Sequence, residues 1–166
     1  MSLIFKRASV RKFKDEKVSD EKIENLLRAA MQAPSSCNAQ PWEFIVVDKK
    51  EDKKAISKMH KFAKPAAEAS HLIITLGNLN EAKVIGMIEQ DLGACNENIL
   101  LQATHEGLGA VWLGFHPIED RTLKLKEFLE IPDYCIPFSV ICVGYPKNEP
   151  KINLRYDPSK VHFSRY

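Results

Sequence analysis

Two arginines and a serine alternate near the start of this 166-residue chain. Arg7, Ser9 and Arg11 point to one side of an extended segment, and the two arginines also share one face of a helix. Their paired guanidinium donors match the oxygens of a phosphate group. The segment therefore indicates a phosphate site; the alternative is an ordinary solvated basic stretch.

A second polar segment covers residues 33–42, with the sequence APSSCNAQPW. It lies between a predicted helix and a predicted strand, and its two prolines restrict the backbone. Its hydroxyl and amide groups offer the donors and acceptors that a polar heterocycle or a phosphate needs. These groups belong to Ser35, Ser36, Asn38 and Gln40. The alternative is a hydrogen-bonded turn that binds no ligand.

The glycine-rich segment 107–114, GLGAVWLG, is not a dinucleotide fingerprint. Trp112 stands where the third glycine is required, and the segment precedes a predicted strand instead of following one. Gly114 instead suits a place where backbone comes close to a flat ligand. His116 follows, either as a proton donor near a substrate or as a plain loop histidine. Hydrolase chemistry is not indicated, because no G-x-S-x-G motif is present and no histidine is visibly paired with Cys37.

The elements that position these segments follow from the spacing of apolar residues. Ser19 is predicted to cap a helix with a buried stripe, and Pro34 to stop it. Helices are further predicted over 50–61, 83–106 and 123–129, with Met87 in the apolar stripe of the second. Apolar runs predict strands over 44–47, 72–76, 110–113 and 139–143. Continuous apolar strands separated by helices predict a sheet covered on both faces.

Composition narrows the class of protein. The length suits one domain, and 24 basic against 22 acidic side chains leave a net charge of +2, which argues against nucleic acid as the main partner. No run is apolar enough to cross a bilayer, and the N-terminus lacks a signal-peptide pattern, so a cytoplasmic location without a membrane partner is expected. The four cysteines show no zinc spacing and are expected to be reduced thiols. No metal site is expected.

Taken in order, these segments resemble the nitroreductase family of FMN-dependent oxidoreductases. The first motif is R-x-S-x-R at 7–11, and the most specific is A-P-S-x-x-N-x-Q-P-W at 33–42. A D-x-G-x-x-x-x-N helix follows at 91–98, ending in G-L-G and a strand that contains W-L-G. The last motif is G-Y-P at 144–146. The resemblance covers nearly the whole chain.

The resemblance implies an α+β fold, a three-layer α/β/α sandwich with a mixed central sheet, in an obligate homodimer. A single FMN-binding domain would span residues 1–166, with a tail from about 147 to 166 packing on the partner. The implied activity is ping-pong electron transfer from NAD(P)H through FMN to nitroaromatic, quinone or similar organic acceptors. The flavin carries this chemistry, so no catalytic side chain is expected. Two alternatives remain: a flavin-binding storage or sensor protein of the same fold, and a flavin enzyme acting on another substrate.

The resemblance also assigns flavin contacts to residues of this chain. Arg7, Ser9 and Arg11 would hold the phosphate and ribityl chain with help from Arg155; Ala8 stands where many relatives have a second arginine. The partner subunit would supply the loop contacts, namely Pro34, Ser35, Ser36 and Asn38, with Gln40 near the flavin. Backbone groups of Leu113 and Gly114 would face the isoalloxazine ring near its reactive nitrogen. Lys64 would be a possible contact at the pyrimidine edge.

Overall fold

One antiparallel sheet forms the centre of the computed structural model, which describes residues 2–166. Its strands lie in the order β1-β2-β4-β3, and every neighbouring pair is antiparallel. They are β1 (Trp42–Val47), β2 (His71–Asn78), β3 (Gly109–Gly114) and β4 (Cys135–Gly144). All four predicted strands are present, and each is longer than predicted.

Five α-helices accompany the sheet. They are α1 (Leu3–Lys6), α2 (Asp20–Ala30), α3 (Lys50–Ile56), α4 (Ile88–His105) and α5 (Glu119–Phe128). Short 3₁₀ turns cover Ser36–Asn38, Lys64–Ala67, Ile85–Met87 and Pro158–Lys160. Ser19 caps α2 as predicted, since its side chain accepts the Lys22 N–H.

The sheet has a hydrophobic core on each face. Successive strand residues point to opposite faces, so Leu72, Ile74 and Leu76 pack with α3 and α5, whereas Ile73 packs with α2 and α4. Both cores contain fully buried side chains from the sheet and from the helices. The α+β class and the three layers are therefore confirmed.

The mixed sheet predicted for this fold is wrong for the four strands. The only parallel pairing among the described residues is a single bridge between Ser9 and Ala110, outside the named strands. The resemblance implied the mixed sheet, and the apolar pattern of the strands did not fix their directions. The strands are apolar because helices cover both faces of the sheet, and both parallel and antiparallel strands can be covered in this way.

Three helix boundaries and one buried position also differ from the predictions. The helix predicted over 123–129 begins earlier, at Glu119. The helix predicted over 83–106 begins at Ile88, after a 3₁₀ turn that contains Gly86, a residue that weakens helices. Met87 is therefore outside the apolar stripe and is exposed. The helix predicted over 50–61 ends at Ile56. The other members of the predicted α4 stripe, Leu92, Cys95, Ile99 and Ala103, are buried.

Candidate functional site

The N-terminal segment crosses the outer edge of β3. Ser9 bridges to Ala110, and the Val10 N–H donates to the Ala110 carbonyl over 2.9 Å. Gly109 makes this approach possible, because a Cβ there would lie 2.7 Å from the Val10 side chain. Gly144 does the same for Phe13, whose Cδ1 would be 2.9 Å from an added Cβ. The absence of a Cβ at these two glycines thus lets the predicted phosphate segment lie directly against the sheet.

Beyond this crossing, no strand among residues 2–166 pairs with the outer edge of β3. In an antiparallel ladder a residue directs its N–H and its C=O to the same side, and the side alternates along the strand. The carbonyls of Ala110 and Gly114 accept from Val10 and Arg121, which lie outside the sheet. The Gly114 N–H therefore also points away from β4. A Cβ on Gly114 would meet no atom within 4 Å, so an open face lies beside this N–H.

The tail brings a third arginine to the first predicted segment. Arg7, Ala8 and Arg155 line one groove of about 330 Å³ together with Phe5 and Leu154. Arg7 also pairs with a carboxylate of α4, since its Nε lies 3.4 Å from Glu97 Oε1. Arg11 and Ser9 are exposed. Of the residues predicted to bind phosphate, the structure therefore brings Arg7 together with Arg155 from the distant tail.

The loop before β1 is held by polar contacts. The Ser36 N–H donates to Asp91 Oδ1 over 2.8 Å, and the Gln40 N–H donates to Ser35 Oγ over 2.9 Å. The amide of Gln40 donates to Asn38 Oδ1 over 3.1 Å. Three of its residues have positive φ, namely Cys37 (53°), Asn38 (51°) and Gln40 (52°). Such angles are uncommon for residues other than glycine, so surrounding contacts must hold this backbone.

Helix α4 separates the two halves of the predicted site. On one side, Asp91 binds the loop and Asn98 donates to the Ala29 carbonyl at the end of α2. On another side, Glu97 pairs with Arg7. Residues advance by about 100° along a helix, so Asp91 lies about 120° around the axis from Glu97. Within one chain, the loop and the β3 edge therefore contact different sides of α4.

The predicted contact Lys64 lies on the opposite face of the sheet from the loop. It begins the turn Lys64–Ala67, whose Ala66 packs in the core on the α3 and α5 face of the sheet. Helix α4 and the loop lie on the other face. The Lys64 side chain is exposed.

Pro34 and Leu113 differ in exposure. Pro34 is exposed at the start of the loop, whereas the Leu113 side chain is buried in the core beneath β3. By the alternation along β3, the N–H and C=O of Leu113 are directed toward β4, so of the two predicted backbone contacts only that of Gly114 lies on the outer edge.

Two side chains beyond β3 were not among the predicted contacts. Arg121 Nη1 donates to the Gly114 carbonyl over 2.9 Å, and His116 Nε2 lies 2.8 Å from Glu89 Oε1. Both contacts are tertiary, joining residues 7 and 27 positions apart. Asp91 appeared in a helix motif, but nothing in the sequence signalled that its carboxylate binds the Ser36 N–H. Short-range spacing could not reveal these partners.

A neutral histidine packs behind the end of β3. The His60 ring meets Phe115 edge-on, with centroids 5.0 Å apart, and its buried Nε2 has no hydrogen-bond partner among the described residues. Burial lowers the pKa of His60, and the nearby charge of Arg121 lowers it further. His60 is therefore neutral at pH 7.

Comparison with known proteins agrees with this fold. The Nitroreductase family profile matches residues 4–145. A protein of Archaeoglobus fulgidus named "Putative NADH dehydrogenase/NAD(P)H nitroreductase" is 40% identical over 170 aligned positions, which cover 100% of this chain and 98% of the relative. The chain belongs to the nitroreductase family.

Solved structures show the same similarity. A "Putative NADH Oxidase" from Clostridium acetobutylicum superposes with a TM-score of 0.97 at 46% identity, covering 99% of this chain and 100% of that one. An FMN-dependent nitroreductase from Clostridium difficile superposes with a TM-score of 0.91 at 30% identity, covering 99% and 98%.

Among residues 2–166, none of the helices has the length and apolar character needed to cross a membrane. In the same part of the chain, no group of His, Cys, Asp and Glu side chains is arranged to hold a metal ion. Cys95, Cys135 and Cys142 are buried as free thiols, whereas Cys37 is exposed in the loop.

Proposed function

We propose that this chain is an NAD(P)H-dependent FMN oxidoreductase whose flavin lies along the open edge of β3. The observation that carries the proposal is the Gly114 N–H, which points away from β4 beside an open face, at the end of the edge that the arginine-bearing segment crosses. Family membership supports the same chemistry, since relatives include an FMN reductase of Bacillus subtilis and an FMN-dependent nitroreductase.

The donors along this edge suit the parts of FMN. A flavin phosphate carries close to two negative charges, and Arg7, Arg11 and Arg155 supply cationic donors. Ser9 adds a hydroxyl beside them, and the small Ala8 lines the same groove as Arg7 and Arg155. At the other end, the Gly114 N–H is a donor for a ring atom. Bound FMN would supply the hydride chemistry, while the chain binds and orients it.

The second half of the site is proposed to come from a second copy of this chain. The loop residues Pro34, Ser35, Ser36, Asn38 and Gln40 would line the flavin held by the partner's β3 edge. This arrangement agrees with the position of α4 between the two halves in one chain. The tail supports it too, because Leu154 and Tyr156 are 71% and 81% exposed and need an apolar surface to cover them.

The reaction proposed is reduction of an organic acceptor, such as a nitroaromatic or a quinone, in a ping-pong cycle. The donor and the acceptor would use the same open face in turn, since Gly114 leaves space on it. The proposal includes a cytoplasmic location. Lys64 is retained only as a candidate contact at the pyrimidine edge.

An absorbance spectrum of the purified protein before and after anaerobic addition of NADPH or NADH tests the proposal. We expect a two-band flavin spectrum that bleaches on reduction and recovers when a quinone is added. A flavin that resists bleaching would favour a storage or sensor protein. Absence of flavin, even after incubation with FMN, would contradict the site assignment.

Arg11→Ala tests the phosphate half. We expect FMN to bind about ten- to a hundredfold more weakly, because a charge-assisted contact of about 1.5–3 kcal/mol is lost. Fluorescence titration of the apoprotein with FMN measures this change. Lys12→Ala is the matched control, since it removes a neighbouring exposed cation that points to the other side of an extended segment. Equal affinities in the two variants would remove Arg11 from the site.

Mixed dimers test the shared site. Arg11→Ala and Asn38→Ala each damage both sites of a homodimer. If the two residues act on one flavin across the interface, a mixed dimer of these variants keeps one intact site and one doubly damaged site. Half of the wild-type high-affinity FMN capacity is then expected. Two sites that are both weakened would show that Arg11 and Asn38 of the same chain act on the same flavin.

A further inference from the structure

Arg121 holds the end of the open edge from outside the sheet. It lies in the first turn of α5, Glu119–Phe128, and its Nη1 donates to the Gly114 carbonyl over 2.9 Å. A cation is disfavoured in the first turn of a helix, where the helix dipole is positive. The acidic residues beside it, Glu119 and Asp120, are the ones that this position favours. Helix stability therefore does not account for an arginine here.

The bond to Arg121 places a positive charge on a carbonyl that the sheet has already positioned. The Leu113 C=O faces β4, which directs the N–H of the same peptide, that of Gly114, to the outer edge. The Phe115 N–H donates to the Phe138 carbonyl of β4 over 3.3 Å, which directs the Gly114 C=O outward in the same way.

The charge of Arg121 acts on this end of the strand. It contributes to the lowered pKa of His60, which packs against Phe115, the residue after Gly114. Because His60 remains neutral at pH 7, it adds no second positive charge beside the guanidinium. Arg121 is therefore the source of positive potential that the structure places directly on Gly114.

Building on the proposed function, we infer that Arg121 raises the flavin's reduction potential, because it places a positive charge at the Gly114 end of the open edge. Reduced flavin carries more negative charge than oxidised flavin at neutral pH. A fixed cation at this edge therefore stabilises the reduced form more than the oxidised form. A difference in binding affinity between reduced and oxidised flavin is thermodynamically equivalent to a shift in the reduction potential of the bound flavin.

The test compares Arg121→Gln and Arg121→Lys with the FMN-loaded wild type. The midpoint potential of bound FMN and the dissociation constant of oxidised FMN are both measured. In Arg121→Gln we expect the affinity for reduced FMN, relative to oxidised FMN, to fall by about three- to tenfold. A tenfold change corresponds to a potential about 30 mV lower for a two-electron couple. Arg121→Lys keeps the charge and should keep most of the potential.

Lys124→Gln is the matched control, because it removes one positive charge from the same helix. Lys124 pairs with Asp120 on the surface, one turn beyond Arg121, and its loss should leave the potential unchanged. Should Arg121→Gln fail to fold, Arg121→Met keeps the aliphatic stem and gives the same comparison.

The outcomes separate this inference from the proposed function. Wild-type FMN binding with an unchanged potential in Arg121→Gln would overturn the role of Arg121 alone. Equal shifts in Arg121→Gln and Lys124→Gln would also overturn it, because the effect would then reflect net charge. A wild-type protein that binds no FMN would overturn both.

Discussion

The two halves of the candidate site are held in different ways. At the β3 edge, backbone pairing and apolar packing hold the N-terminal segment: Ser9 bridges to Ala110, and Val10 and Phe13 sit against glycines. The loop before β1 lies on another side of α4 and is held mainly by hydrogen bonds, including one to Asp91. Its backbone has positive φ at Cys37, Asn38 and Gln40.

The two halves are therefore expected to differ in rigidity. Packing against glycine is intolerant of added atoms, so the β3 edge is rigid and sensitive to volume. A loop with unfavourable backbone angles depends on each polar contact that holds it. If the flavin bridges the two halves across a dimer, the rigid edge sets its position and the loop closes over it.

The largest effect is expected for Gly109→Ala. The new Cβ would lie 2.7 Å from the Val10 side chain, so the segment that carries Ser9 and Arg11 must shift. We expect a loss of about 3 kcal/mol in the free energy of unfolding, at the upper end of overpacking costs. Urea denaturation measures it.

A second substitution identifies the cause. Adding Val10→Ala to Gly109→Ala restores the space, so part of the lost stability should return. Gly86→Ala is the control, since an added Cβ there meets no atom within 4 Å. Equal destabilisation by Gly86→Ala, or no recovery in the double variant, would argue against tight packing at the edge.

Asp91→Ala should destabilise the loop before β1. Asp91 is only 8% exposed and accepts the Ser36 N–H at 2.8 Å. Removing this charged acceptor is expected to lower the free energy of unfolding by about 2 kcal/mol. Amide exchange of residues 35–40 should rise, whereas exchange of Val10 and Lys14 should not. A uniform rise along both halves would show that they are not held independently.

A smaller loss of stability is expected when acidic pH protonates His71, which lies beside the end of the N-terminal segment. The Val18 N–H donates to Ser70 Oγ, which lies 2.9 Å from Nδ1 of the buried His71. Burial lowers the pKa of His71 below its usual 6.5. Between 6.5 and the lower folded value, the unfolded chain binds a proton that the folded chain does not. The free energy of unfolding should therefore fall as the pH drops through this window.

Denaturation of wild type and His71→Gln at pH 7.5 and 5.5 measures this dependence. His71→Gln should reduce the loss of stability between the two pH values, while His105→Gln, at an exposed position, should not. His60 contributes in the same direction, because its pKa is also lowered. An identical pH dependence in His71→Gln and wild type would contradict the assignment to His71.

Much of the fold was predictable because its signals are local. Ser19 marks the start of α2, and apolar runs mark all four strands, because burial on both faces demands apolar side chains throughout. Strand direction was not predictable, since the same apolar pattern serves parallel and antiparallel sheets. The start of α4 was misplaced because Gly86 and a 3₁₀ turn precede it.

For the candidate site, the sequence by itself determined which segments hold the donors: the arginine-serine segment, the loop at 33–42 and the glycine at the end of β3. These signals depend on residue types at short spacing. Only the tertiary structure decided what each donor faces. It brought Arg155 to Arg7, aimed Asp91 at the loop and put Arg121 on the Gly114 carbonyl. Such pairings join distant parts of the chain, and packing of helices on the sheet, not local spacing, brings them within contact distance.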